Sequence, residues 1–251
     1  MAENRLWEAV YTALRARIDE GDLGPGVRVP GELDLAAEHG VSRATVRQAL
    51  QRLQQEGVIT EGKGRRGRTV RAASPLRWNL TKFEARGRRD DQDTGMDDWS
   101  ACVQDEGRTP RQIVTVSITP APAAVARWLD IPVGELAVRR HRRRLVDDVP
   151  FQLATSWFPE AIARNSPLME ERDVVMPGGI LAAIGHPQRL VRDEITVRMP
   201  TPTEADQLEL PMGTPVGQHV RIGIGTDDRP VRVMITVFPG DRQILAYELT
   251  V

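Results

Sequence analysis

The second half of the chain contains a duplicated pattern. Pro132–Gly134 recurs as Pro211–Gly213 at an offset of 79 residues, and Phe158–Pro159 recurs as Phe238–Pro239 at an offset of 80. In each copy a helix-like stretch precedes two runs of alternating residues, and a tight turn containing aspartate joins the runs. Such paired runs predict antiparallel hairpins. The chain is therefore expected to form one sheet from two similar halves, with a cleft between them where a small ligand usually binds.

The predicted elements of this region alternate between helices and strands. The helices are Ala123–Leu129 and Thr203–Leu208. The strands are Ile113–Thr119, Ala137–Val146, Phe151–Phe158, Val191–Met199, Gln218–Gly225 and Val231–Phe238. Together they predict an α+β fold, in which one antiparallel sheet is covered by helices on one face.

The first 71 residues predict three helices and a hairpin. In the first helix an apolar residue recurs every four positions, at Leu6, Val10, Leu14 and Ile18. A second helix is predicted over Glu32–His39 and a third, with Ser42 as its N-cap, over about residues 43–56. Two strand-like stretches, 58–61 and 68–71, flank a basic, glycine-rich loop. This order is typical of a winged helix-turn-helix.

The charge of the whole chain does not identify a partner, because 34 basic and 35 acidic residues leave a net charge of −1. Residues 62–71, however, contain five cations and no acid. The polar face of the third helix is also basic, with no balancing acid before Glu56; its residues are Arg43, Thr45, Arg47 and Gln48. This pattern favours DNA binding. The alternative is a small helical bundle whose arginines are simply solvated.

Residues 73–94 are predicted to be a linker, since they show little periodicity and contain the charge run Arg86–Asp93. Trp78, Leu80 and Phe83 are exceptions, and we expect them to dock on a neighbouring domain. A short helix is predicted over Met96–Gln104.

The strand around residues 138–145 carries arginines on both of its faces. Because side chains alternate along a strand, one face is expected to present Arg140, Arg142 and Arg144, and the other Arg139, His141 and Arg143. At an offset of 80, Ile222 and Ile224 stand where Arg142 and Arg144 do, which predicts that the second repeat fills this face with core. A cationic face opposite an apolar one suits an anion, because arginine binds carboxylate or phosphate through two parallel hydrogen bonds. A solvated edge strand is the alternative.

Glu194 shares a strand face with Thr196 and Arg198. It is a candidate partner for the pocket arginines or for ligand hydroxyls. An ordinary surface position is an equal alternative.

The sequence shows no signature of catalysis or metal binding. The four histidines lack HExxH spacing, the single cysteine, Cys102, has no histidine beside it, and neither a GxSxG elbow nor a P-loop is present. We therefore expect no catalytic residue, no metal and no cofactor. The N-terminus lacks the order of a signal peptide, and no apolar run reaches the roughly 20 residues of a membrane helix. A cytoplasmic location without a membrane partner is expected.

Several motifs resemble those of one bacterial family. Val29–Leu33, Gly40–Arg47 and Leu53–Ile59 resemble the helix-turn-helix of the GntR family of transcription regulators. The later blocks are similar to the UTRA effector domain of its HutC subfamily; they are Arg142–Pro150, Thr155–Pro159 and Asp228–Asp241.

The resemblance implies a DNA-binding domain over 1–72, a linker over 73–94 and a UTRA domain over 95–251, the last with a fold similar to chorismate lyase. It implies a homodimer that usually acts as a repressor and leaves its operator when a metabolite binds. A two-fold dimer predicts a palindromic operator. The expected DNA-binding residues are Arg43, Thr45, Arg47 and Gln48 on the helix and Lys63, Arg65, Arg66 and Arg68 in the wing. The expected effector-binding residues are Arg142, Arg144, Ser156 and Glu194.

Three features depart from the family pattern. Leu33 stands where many relatives carry a DNA-contacting arginine, and the wing is longer and more basic than usual. Arg232 stands where a pocket glutamate is common. It joins the expected effector-binding set and favours an anionic effector, such as a sugar phosphate or a carboxylate.

Two other functions remain open at this point. One is a ligand-independent repressor, such as a plasmid maintenance or transfer regulator, whose pocket is vestigial. The other is a lyase-like enzyme with an appended DNA-binding module.

Overall fold

The computed structural model describes residues 3–60, 67–71, 75–81, 96–211 and 213–249, with side chains from Leu6 onward. It forms two compact units. The first comprises Met1–Ser74 with Leu210–Thr214, and the second comprises Pro75–Glu209 with Pro215–Val251. Within the described ranges, no helix is both long enough and apolar enough to cross a membrane.

The first unit contains the three predicted helices, α1 (Glu3–Asp19), α2 (Glu32–His39) and α3 (Arg43–Gln55). Gly40 ends α2 with a φ of 63°, a left-handed conformation that glycine adopts without steric cost. Two antiparallel bridges tie the segments around the helices together: Arg28, between α1 and α2, pairs with Thr69, and Ile59, after α3, pairs with Val70. The core of the unit is aliphatic; it includes Val10, Leu14, Leu35, Val46, Leu50, Leu53, Ile59 and Val70.

The second unit is built on antiparallel strands. Its strands are β1 (Leu76–Asn79), β2 (Pro110–Pro120), β3 (Leu136–Val146), β4 (Val149–Pro159), β5 (Gln188–Arg198), β6 (Val216–Gly225), β7 (Pro230–Pro239) and β8 (Gln243–Ala246). Its helices are α4 (Asp98–Asp105), α5 (Ala123–Leu129), α6 (Glu160–Ala163), α7 (Ile180–Ala183) and α8 (Pro202–Gln207), with a 3₁₀ turn at Pro167–Met169. Among the described residues, six strands form one sheet in the order β2-β3-β4-β7-β6-β5. The two duplicated hairpins, β3-β4 and β6-β7, therefore meet at the centre of the sheet.

The strand register assigns each side chain to one face of the sheet, because residues directly opposite each other in an antiparallel pair point the same way. Arg142 pairs with Ala154, Ala154 with Thr236 and Thr236 with His219. We call this side face one. His141 pairs with Thr155, and its side is called face two.

Helices cover both faces of the sheet, so the expectation of helices on one face is wrong. On face two, α5 packs its Val125 and Leu129 against the sheet residues Trp157 and Val233. On face one, the connection between β4 and β5 folds back and packs Leu168 and others against the sheet. That connection contains only one-turn elements, so no helical periodicity marked it in the sequence.

The segment predicted as a linker contributes to the second unit. Leu76–Asn79 form β1, which pairs in parallel with β8. Trp78 and Leu80 are buried beside Trp99 of α4, as expected of docking residues. The other docking candidate, Phe83, and the charge run Arg86–Asp93 lie outside the described residues.

Candidate functional site

The third helix of the first unit presents a polar, arginine-bearing face. Ser42 caps α3, because its Oγ accepts a hydrogen bond from the backbone nitrogen of Thr45 at 3.2 Å. The cap fixes the start of the helix, and the helix period then places Arg43, Arg47 and Gln48 outside the core. The side chains of Arg43 and Arg47 are 58% and 53% exposed. Both guanidinium groups are thus accessible to a ligand in solution.

The arginines of this surface gather around one carboxylate, that of Glu32. Arg47 donates to it at 3.0 Å, and Arg43 and Arg68 lie 3.8 and 3.4 Å from its oxygens. The hydrogen bond from Arg47 is the main reason that the pKa of Glu32 lies below its usual value. The helix α3 itself has no acid before Glu56, as expected, but its polar face is balanced by an acid from another helix. The acid comes from α2, which folding brings close.

The remaining predicted DNA-binding residues differ in how exposed they are. Thr45 is 8% exposed, and its hydroxyl lies 2.8 Å from the Oγ of Ser42, so it supports the helix start. Arg68 is partly buried against Glu32. The wing residues Lys63, Arg65 and Arg66 lie outside the described residues.

A cavity of about 380 Å³ lies over face one of the sheet. Four arginines line it, contributed by three strands; they are Arg142 and Arg144 of β3, Arg221 of β6 and Arg232 of β7. Acidic side chains also line it, among them Asp97 and Asp173. How much uncompensated positive charge each arginine offers to a ligand depends on whether one of these acids already pairs with it.

Arg144 is buried and ion-paired. Its NH2 donates to Asp97 at 2.7 Å and its Nε to Gln112 at 2.9 Å. The guanidinium lies 4.9 Å from the centroid of the Trp99 ring. Burial lowers the pKa of Arg144 to about 10, so the group stays charged at neutral pH. Burial raises the pKa of Asp97, but Arg144 and Ser100 more than reverse this effect, and the carboxyl stays ionised.

Arg221 is also neutralised. Its Nε and NH2 each donate to Asp193 of β5 at 2.7 Å, a bidentate pair. His219 and Tyr247 bind the same carboxylate at 2.7 and 2.9 Å. Burial raises the pKa of Asp193, but the hydrogen bonds from Arg221 and His219 outweigh it and hold the pKa far below its usual range.

Arg142 differs from these two arginines. Its Nε is buried and has no hydrogen-bond partner in the part of the chain that the structure describes, and no described carboxylate lies within ion-pair distance of it. Burial raises the pKa of the nearby Asp173, and the Asp97 carboxylate adds to this effect. The neighbouring Arg232 donates to Ser156 at 3.2 Å. Among the described residues, Arg142 is therefore a half-buried cation in this cavity whose buried Nε has unfilled hydrogen-bonding capacity.

Comparison with known proteins identifies both units. Residues 105–243, more than half of the chain, match the model of the UTRA domain, and residues 6–70 match that of the gntR family of bacterial regulatory proteins. The chain is a GntR-family transcriptional regulator with a UTRA domain. The resemblance noted in the sequence is thereby confirmed. Members of this family and the relatives below are transcriptional regulators, not enzymes.

This GntR-family regulator is similar along most of its length to other transcriptional regulators. It is 27% identical over 242 residues to the HTH-type transcriptional regulator GgaR of Escherichia coli, covering 96% of this chain and 88% of that one. It is 25% identical over 235 residues to MngR of Escherichia coli, the mannosyl-D-glycerate transport/metabolism system repressor, covering 91% and 89%. A solved structure of a GntR-family transcriptional regulator covers 98% of both chains with a TM-score of 0.61 and 26% identity.

In the GntR-family regulator, two sequence-based expectations about the cavity differ from the structure. Glu194 is exposed and pairs with Val220, which puts it on face two; its neighbour Asp193 lies on face one instead. Ile222 also lies on face two, because it pairs with Val233, whose strand partner is Trp157. Neither residue occupies the face of Arg142.

Arg221 is a cavity arginine that sequence reasoning missed. The signal was present, since the offset of 79 between the two Pro-x-Gly motifs aligns Arg142 with Arg221. The offset of 80, taken from the motifs after the turns, aligned Arg142 with Ile222 instead. A shift of one residue moves every side chain of a strand to the other face.

Proposed function

We propose that this chain is a homodimeric, cytoplasmic repressor whose binding to a palindromic operator is controlled by a small anionic metabolite. Residues 1–72 bind DNA, 73–94 connect the domains while their strand β1 packs on the second unit, and 95–251 bind the effector and dimerise. On the operator, Arg43, Arg47 and Gln48 face the bases of the major groove. The basic wing, including Lys63, Arg65, Arg66 and Arg68, contacts phosphates, and Thr45 holds the start of the recognition helix.

The observation that carries the effector proposal is the buried, unsatisfied Nε of Arg142. A buried polar group without a partner costs about 1–3 kcal/mol, so a ligand that satisfies it gains from the contact. Arg232 lies in the same cavity and extends the cationic surface. Ser156 holds Arg232 in place by accepting a hydrogen bond from its guanidinium. Arg144, which lines the same cavity as Arg142, is fixed by its ion pair with Asp97.

The proposal is tested in two steps with the full-length protein. Selection from a randomised duplex pool at physiological salt, followed by sequencing, is expected to enrich a palindrome. Thermal unfolding in the presence of sugar phosphates and carboxylates is then expected to reveal a stabilising compound. That compound should release the selected duplex from the wild type. It should not release the duplex from Arg142→Gln.

Three outcomes would change the assignment. Salt-sensitive binding without an enriched palindrome would indicate non-specific DNA binding dominated by the wing. An enriched palindrome with no stabilising compound would favour a ligand-independent repressor. A compound that acts equally on Arg142→Gln would place the effector elsewhere.

A further inference from the structure

A second cavity lies on face two of the sheet, on the side opposite the proposed effector cavity. It has a volume of about 460 Å³ and is bounded by α5 and α8, the helices that begin the two repeats. Its volume lies within the range of about 300–1,000 Å³ that is usual for small-molecule sites. Aromatic and aliphatic side chains form much of its wall, among them Trp128, Trp157, Leu153, Ile235 and Val237.

Among the described residues, one charged group of this cavity has no partner. Arg139 of β3 lines the cavity and is half-buried, and burial lowers its pKa. Throughout the ranges that the structure describes, no hydrogen bond or ion pair engages its guanidinium. An arginine that is partly shielded from water and makes no ion pair favours an anion, because its fork of donors matches a carboxylate.

Four other polar side chains of the wall are already engaged, those of Glu204, Gln218, His141 and Thr155. Arg198 donates to both oxygens of Glu204 at 2.7 Å and also binds Gln218. His141 lies 2.9 Å from the Oγ1 of Thr155. Burial and the charge of Arg139 lower the pKa of His141 to about 4, so the ring is neutral at pH 7. Glu204 is paired with Arg198 and therefore does not neutralise Arg139. His141 is uncharged and therefore adds no second positive charge to the cavity.

We propose that the cavity between α5 and α8 is a second ligand site, which binds a small carboxylate with an apolar body. The carboxylate pairs with Arg139, and the apolar body packs against Trp128, Trp157 and Ile235. The site does not depend on the proposed effector cavity, because the two lie on opposite faces of the same sheet. Burial of an apolar body from water contributes to the affinity in proportion to its area.

The test uses ligand-observed NMR with the full chain at pH 7. The probes are benzoate, phenylacetate and hexanoate at millimolar concentration, each compared with its own primary amide. The carboxylates are expected to bind, and the amides to bind about tenfold more weakly, because they lose a charge-assisted hydrogen bond. Arg139→Gln should reduce carboxylate binding to the level of the amide. Arg192→Gln, which removes an exposed arginine from the same face, should leave it unchanged.

The comparison of acid with amide needs no variant, so it holds even if Arg139→Gln fails to fold, which circular dichroism would reveal. Equal binding of acids and amides would overturn the proposal, as would the absence of binding by all three carboxylates. Carboxylate binding that survives Arg139→Gln but is lost in Arg142→Gln would also overturn it, since the probe would then occupy the cavity of face one. That last result would leave the proposed effector site intact.

Discussion

The carboxylate of Glu32 on α2 accepts a hydrogen bond of 3.0 Å from the NH2 of Arg47 on α3. The two residues are 15 positions apart, and their contact exists only because α2 and α3 pack together. If Arg47 contacts DNA as proposed, this acid holds the guanidinium in place beforehand, so less side-chain freedom is lost on binding. We therefore propose Glu32 as a positioning residue for the proposed DNA-binding surface.

Replacement of Glu32 by glutamine is expected to reduce specificity rather than total DNA affinity. Without the carboxylate, the three arginines around it, Arg43, Arg47 and Arg68, are less restrained. The net positive charge of this surface also rises, which strengthens its attraction to any phosphate. The ratio of operator to random-duplex affinity should fall about tenfold, and binding to random DNA should strengthen and become more salt-dependent. Fluorescence anisotropy over a range of salt concentrations measures both quantities. A parallel loss of affinity for both duplexes would show that Glu32 only stabilises the fold.

Removal of the Arg47 side chain should weaken binding to the selected operator about ten- to a hundredfold, if its fork binds a guanine. Binding to random DNA should change much less. The matched control is Arg52→Ala, which removes an exposed arginine near the other end of α3 that is ion-paired with Glu56. An equal loss on both duplexes would instead identify Arg47 as a phosphate contact.

Asp97→Asn should destabilise the second unit by about 3 kcal/mol, because it leaves the buried Arg144 without its counter-ion. Asparagine can still cap α4, so the loss reports mainly on the ion pair. Urea unfolding of the full chain measures the change. Asp105→Asn removes an exposed acid at the end of the same helix and should not destabilise the protein. Equal stability of wild type and Asp97→Asn would show that Arg144 finds another partner.

The buried ring of His141 predicts a pH dependence of stability. Its pKa is about 4 in the folded chain and about 6.5 when unfolded, so between these values the unfolded state binds more protons. The free energy of unfolding is therefore highest, as far as His141 is concerned, above pH 6.5, and it decreases as the pH falls toward 4. In urea unfolding, His141→Gln should flatten this part of the stability profile.

The control variant replaces Thr155, whose Oγ1 lies 2.9 Å from the His141 ring. Thr155→Val removes the contact without removing a titratable group, so it should lower stability by a similar amount at each pH. If His141→Gln kept the slope of the wild type, the pH dependence would come from other groups.

Local patterns predicted much of this fold, since alternation and helical spacing depend on neighbouring residues. The helix α5 was predicted with the same bounds, Ala123–Leu129, and β3 differs from its prediction by a single residue. The strand β1 was missed because four residues cannot establish a period, and its partner β8 lies far along the chain. Contacts such as Glu32 with Arg47 were missed for the same reason. Nothing in the local sequence records them.

The face of the sheet on which a site residue lies depends on the register between strands. Local patterns specify the alternation of side chains within one strand but not this register. The alternation along β3 grouped Arg142 with Arg144, and the structure agrees. The transfer to β6 required a correct alignment between repeats, and an offset of 80 instead of 79 exchanged Arg221 for Ile222. The predicted Glu194 was likewise wrong by one position, because its neighbour Asp193 is the acid that faces Arg221.

The strand β3 lines both cavities, with Arg142 on one side and Arg139 on the other. This shared strand limits how such a protein can evolve. Point substitutions at alternate positions can change one cavity while the other keeps its chemistry, so the two could diversify separately in descendants. An insertion or deletion within the strand would exchange both sets of side chains at once and is expected to be eliminated by selection.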